Sequence, residues 1–176
     1  MKRYFPGLGS LVPGCLLFLI MSLPQTAGSA TAGASIELNT TGAAPREIEE
    51  TTKTSVERDY ANAWQSMSQA LDSGDAAQLD HYWTGVAREK LLQLAKDEKH
   101  ENLRVHYVDH SHKLQAVFYP TDGSALLLHD VVEGELEILD GGKVVETQPF
   151  TQKYVVLMTP GQDRWFVRVF ESVPAF

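Results

Sequence analysis

Cysteine is almost absent: the 176 residues hold one, Cys15. It lies in the N-terminal stretch, so a chain processed after residue 32 has none. Thiol nucleophiles, disulfides and cysteine metal sites are then excluded together. Basic charge is also scarce, with 15 Lys and Arg against 23 Asp and Glu and a net charge of −8. Residues 1–32 carry Lys2 and Arg3 and no acidic residue, which leaves 13 against 23, or −10, for the remainder. Such a surface repels phosphate backbones and anionic lipid, and it argues against nucleic acid as a partner. Long apolar runs are missing too. The stretch Leu11–Leu23 is thirteen residues with Pro13 inside it, short for a bilayer span. No repeat and no long low-complexity tract is visible.

What that stretch does have is the layout of a secretory signal. Lys2 and Arg3 give a positive start, Leu16–Met21 an apolar core, and Leu23-Pro24 a break. Small residues follow, and Ala30-Thr31-Ala32 fits the small-x-small rule for cleavage. Residues 1–32 are therefore expected to direct export, to a periplasm or beyond, with an uncleaved membrane anchor as the alternative. A lipid-modified Cys15 is rejected, because such a cysteine follows the apolar core and this one precedes it. Asn39-Thr40-Thr41 is a glycosylation acceptor pattern, relevant only in a eukaryotic secretory pathway.

The remaining 144 residues suffice for one domain with its own core. Residues 33–52, rich in Gly, Ala, Thr and charge, read as a flexible linker, and 53–176 as the domain. Val56, Tyr60, Ala63, Trp64, Met67 and Leu71 recur at helical spacing, and Gly74 suits a left-handed cap. Asp75 looks like the N-cap of a second helix, with a stripe of Leu79, Tyr82 or Trp83, Val86, Leu91 and Leu94 that Gly85 interrupts. From Leu103 the period changes to two. Leu103, Val105 and Tyr107 are followed by Leu114, Ala116 and Phe118 up to the Pro120–Gly123 turn. A long strand then carries Leu126, Leu128, Val132, Leu136 and Ile138 on one parity and Glu133, Glu135 and Glu137 on the other, with Gly134 suggesting a bulge. Asp140-Gly141-Gly142 is a hairpin turn, and further strands are expected over 143–158 and 164–172. Helices followed by an antiparallel meander predict an α+β domain, with N-terminal helices packed on a curved antiparallel sheet.

Three segments carry a family likeness: Tyr60-Ala61-Asn62-Ala63-Trp64, Ala70–Asp75, and the Arg164–Arg168 strand after the Gly161–Asp163 turn. In order and content they resemble the NTF2-like (cystatin-like cone, ketosteroid-isomerase-type) superfamily, over about Ser55 to Val173. Trp64, Trp83-Thr84-Gly85 and Tyr154 are similar to the non-catalytic scaffold domains of membrane-associated division proteins. The resemblance implies a cone, filled or hollow, and a habit of dimerising through the open face of the sheet. It implies no single activity, since the superfamily holds isomerases, dehydratases, transport factors and assembly proteins.

Candidate chemistry is sparse. Asp130 shares the parity of Leu128 and Val132, so it is expected to point inward, where a lone carboxylate is costly. With His81 or His129 it would make an acid–base set. His106, Asp109, His110 and His112 are the densest group of possible ligands. They read instead as a polar turn between two strands, so no metal or other cofactor is assigned. Tyr60, Trp64, Tyr82, Trp83, Phe118, Tyr154 and Trp165 are expected to fill the helix–sheet interface or to line an apolar pocket. Trp165 and Phe166 must face opposite ways on one strand, which puts one of them where a partner could bury it. The expected function is a non-catalytic interaction or ligand-binding module of the cell envelope. Its partners would be a small hydrophobic ligand, an envelope protein or a second copy. The alternative is a small isomerase or dehydratase.

Overall fold

The computed structural model describes residues 33–101 and 104–176, so the expected signal in residues 1–32 lies outside the described residues, as does Leu103. The first 3 elements are a strand β1 (Ser35–Asn39), a short strand β2 (Ala44–Pro45) and a 24-residue helix α1 (Glu50–Ser73). A 3₁₀ turn (Ala76–His81) and a second helix α2 (Gly85–Glu101) follow. Four strands complete the chain: β3 (Arg104–Tyr119), β4 (Leu126–Asp140), β5 (Lys143–Pro160) and β6 (Trp165–Val173).

β3 to β6 form the expected antiparallel meander, and the helices pack on it, so the domain is α+β. The sheet is nevertheless mixed, because β1 and β2 run parallel to β3 at its other edge. This corrects the reading of residues 33–52 as a flexible linker. Ile36 and Leu38 alternate with polar residues, and Leu38 is buried in the core. The Leu38 N–H also donates to Glu57 on α1 at 2.9 Å.

All six positions of the first helical stripe are buried, and Gly74 ends α1 at φ 70°, in the left-handed region. Asp75 accepts from the Ala77 N–H, but it caps the 6-residue 3₁₀ segment, not a long helix. Gly85, at φ 54°, separates that turn from α2. Trp83 and not Tyr82 fills the core, and its indole donates to the Ala63 carbonyl at 2.9 Å. Residues 82–84 run alongside β6 and cover its edge, with the Val167 N–H donating to Tyr82 O and the Thr84 N–H to Val167 O. The break also turns α2, so Ala87 and Leu91 face inward while Val86, placed on the stripe from spacing, is exposed.

The segment around His110 is not a turn. β3 passes straight through it as one 16-residue strand with a bulge between Asp109 and Ser111, opposite Gly134. A Cβ on Gly134 would collide with the Val108 carbonyl oxygen, so glycine is what lets β3 kink there. A second irregularity between Ala116 and Phe118 shifts parity again.

Candidate functional site

Asp130 does point inward and is fully buried, held by its place on β4 between Leu128 and Val132. Its two partners come from different elements. The Tyr60 hydroxyl, from α1, donates to Asp130 Oδ2 at 2.7 Å. His112 Nδ1, from β3, lies 2.9 Å from the same oxygen, and its Nε2 lies 3.0 Å from Asp109 Oδ2. An imidazolium donates through both nitrogens and so satisfies both carboxylates. Burial pushes the His112 pKa down, but the two carboxylates bonded to it outweigh that and leave it raised. Burial and the Asp130 charge push the Tyr60 phenol well up. Tyr154 is driven up in the same way, by burial and by the neighbouring Tyr107 and Asp130. Among the described residues, Asp130 Oδ1 and the Trp64 indole N–H make no hydrogen bond.

Neither histidine expected beside Asp130 is there. His81 ends the 3₁₀ turn and is exposed. His129, the next residue on β4, projects to the opposite face, where it stacks on Phe176 at 4.1 Å. His112 takes their place because the bulge at His110 shifts the strand by one residue and turns His112 inward. Asp109 stays with it, but the other two histidines of that group disperse: His110 is exposed, and His106 lies 3.1 Å from Glu137. Among the described residues no His, Cys, Asp or Glu cluster is placed to hold a metal ion.

Next to the Asp130–His112 pair is a cleft of about 340 Å³ between α1, α2 and strands β3, β5 and β6. Trp64, Tyr107, Tyr154 and Phe170 form its aromatic walls, with Met67, Leu71, Leu91 and Leu94 alongside. Lys90 and Glu171 pair across its rim. Trp64 joins the two regions, since its ring lies 4.5 Å from that of His112 and meets Tyr154 and Phe170 edge-on at 5.9 and 5.7 Å. Tyr154 and Phe170 stack at 4.2 Å.

Two of the seven expected pocket aromatics, Trp64 and Tyr154, line this cleft. Tyr60, Trp83 and Trp165 belong to the closed core. Tyr82 is half-buried under the Arg164 guanidinium, 5.4 Å away. Phe118 is 47% exposed, because the irregularity at Val117 turns it outward and Tyr119 inward. Phe166 faces away from the helices as alternation requires, and its ring tucks under Gly161, where a Cβ would strike it. A further residue, Asp59, was not marked by any motif. It is buried, and its Oδ2 accepts the Trp165 N–H at 2.8 Å, tying α1 to the start of β6.

No family model and no curated protein matches this chain. Among solved structures it is similar to the intermembrane space region of chloroplast protein ARC6. That match has 15% identity and a TM-score of 0.61, over 74% of this chain and 100% of that one. The likeness is one of fold. A cystatin-like protein of unknown function from Nostoc punctiforme also matches, at 11% identity and a TM-score of 0.41, over 74% of this chain and 97% of the other. Among the described residues no helix is long and apolar enough to cross a membrane.

Proposed function

We propose that this chain is an exported, non-catalytic module of the NTF2-like kind that works in a cell envelope by binding. Its cleft takes an apolar group, from a small hydrophobic ligand or from an envelope protein. The observation that carries this reading is the wall of the cleft, four aromatic and four aliphatic side chains around about 340 Å³ with one ion pair at the rim. Concave, mostly apolar sites with few polar groups are where ligands are held. Residues 1–32 support export through their charge, apolar core and small-residue ending. The ARC6 region of similar fold is itself described as lying in an intermembrane space, which suits a module of an envelope compartment.

The acid–base alternative would need His81 or His129 beside Asp130, and both lie elsewhere. Asp130 and His112 are fully buried and do not line the cleft, which favours the binding reading.

Titration with 1-anilinonaphthalene-8-sulfonate tests the binding reading. One saturable site is expected, with quenching of tryptophan emission through Trp64. Leu94→Lys, at a half-buried position on the cleft wall, should weaken that site about tenfold, since a buried ammonium without a partner is unfavourable. Absence of saturable binding, or an unchanged affinity in the variant, would overturn the assignment of the cleft. Export is tested by the N-terminal sequence of the secreted or periplasmic protein, expected to begin at Gly33.

A further inference from the structure

The chain Tyr60–Asp130–His112–Asp109 lies outside the lining of the cleft, yet it joins three elements of the fold. His112 sits on β3 just after the bulge, Asp130 on β4 and Tyr60 on α1. Both imidazole nitrogens face carboxylate oxygens, at 2.9 and 3.0 Å. A neutral imidazole has a single N–H. Loss of one proton therefore turns one of these two contacts from an attraction into a lone pair facing a carboxylate, at an imidazole that is itself fully buried although Asp109 is 24% exposed.

The imidazolium also has an aromatic neighbour. Trp64 follows Tyr60 by one helical turn, and its ring lies 4.5 Å from His112, while the Tyr60 ring meets His112 edge-on at 5.5 Å. A cation at that separation attracts an indole face. The same indole is the inner wall of the cleft. The charged and titratable groups around this point are Tyr60 from α1, Asp109 from β3, Asp130 from β4 and Tyr154 from β5, with Lys90 of α2 and Glu171 of β6 paired at the rim.

We propose that the protonation state of His112 gates the cleft: the imidazolium holds α1 and Trp64 against the sheet and keeps the cleft formed, and loss of its proton releases them. This rests on the reading of the cleft as the binding site. The direction of the His112 shift agrees. Burial lowers its pKa, the bonds to Asp109 and Asp130 raise it further, and the result lies above the ordinary value of 6.5. For a group raised on folding, the stabilisation is complete below the unfolded value and is lost as pH rises through the folded one. The gate therefore opens toward alkaline pH.

The experiment follows His112 ring signals and the Trp64 indole N–H by NMR on the intact chain from about pH 5 to about pH 9. Anilinonaphthalene sulfonate affinity is measured over the same range. The expected result is one midpoint for all three, above 6.5, with about tenfold weaker probe binding on its alkaline side. In Asp109→Asn the side-chain carbonyl still accepts from Nε2, but without charge, so the three midpoints should move down together. In His112→Gln the pH dependence should vanish, a readout that a merely looser fold would not give. The gate is overturned if His112 titrates while the indole signal and probe affinity stay fixed, or if their midpoint ignores Asp109→Asn. Should the probe fail to bind at every pH, the cleft assignment falls, and the gate is then decided by the indole signal alone.

Discussion

β4 and β5 are built alike along their length but live in two environments. From Leu126 to Val132 every second residue of β4 is buried, and its partners on β5, Val156 and Met158, are buried too. From Glu135 to Asp140 no residue of β4 is buried, and the facing stretch Lys143–Pro149 is exposed throughout. Leu136 and Ile138 continue the parity of Leu126, Leu128 and Val132, so that parity stays mainly apolar along both halves. What changes is the second layer, because α1 and the segment through Trp83 cover only the first half. A strand's period says which side chains share a face, and burial depends on whether anything lies over that face. β6 also stops short. It pairs with Lys153–Pro160 and leaves Lys143–Gln152 as a free edge, where Lys143, Glu146 and Pro149 discourage pairing with another chain.

The sharpest way to break this comparison is to make one truncation in each half. Leu128 and Leu136 share a strand and a parity, but Leu128 is fully buried and Leu136 only half-buried. Leu128→Ala should lose about 3 kcal/mol or more through lost burial and a residual cavity, and Leu136→Ala about 1 kcal/mol or less. Urea denaturation of the two variants measures both. Equal losses would mean that the outer ribbon is covered in solution. The next largest effect is expected at Asp59, which fastens the covered half. Asp59→Ala strands the buried Trp165 N–H and leaves the space of a carboxylate, a loss of about 2 kcal/mol. Amide exchange at Trp165 should accelerate in that variant, and an unchanged rate would remove Asp59 from its anchoring role. Tyr60→Phe is milder. It deletes one of the two donors on Asp130 Oδ2 and keeps the ring, so about 1 kcal/mol is expected by thermal or urea unfolding. A loss too small to measure would mean that His112 alone satisfies Asp130.

These residues also separate what can be read in the chain from what cannot. The α1 stripe, the cap at Gly74, the break at Gly85 and the meander of strands are local patterns, and each stands where spacing put it. The inward carboxylate at Asp130 was legible by parity. Its partners were not, because parity holds only as far as the next bulge. One extra residue at His110 turns His112 inward, and another at Val117 turns Phe118 outward. Gly134 was the available signal, but it marked the far side of the bulge and not the strand that bends. β1 failed for another reason. Ser35-Ile36-Glu37-Leu38-Asn39 alternates well enough, yet five residues in a polar stretch reveal nothing of a parallel partner more than seventy positions away. The cleft depends on how far α2 stands off the sheet, which no spacing encodes.

The smallest effect is expected at the tip of the bare ribbon, and it tests the comparison from the other side. Val145 is 62% exposed and Val144 48%, next to the Asp140–Lys143 turn, with no helix among the described residues above either face. Val145→Thr keeps the branched shape and strand preference and exchanges a methyl that water already reaches for a hydroxyl. The unfolding free energy should therefore change by less than about 0.5 kcal/mol, with the denaturant slope unaltered. A loss of more than about 1 kcal/mol would require the methyl to be buried in the working protein. Because no layer among the described residues covers it, dilution should then decide the cause. A loss that fades as protein concentration falls places a second copy over the ribbon, and a loss independent of concentration places the cover within the chain itself.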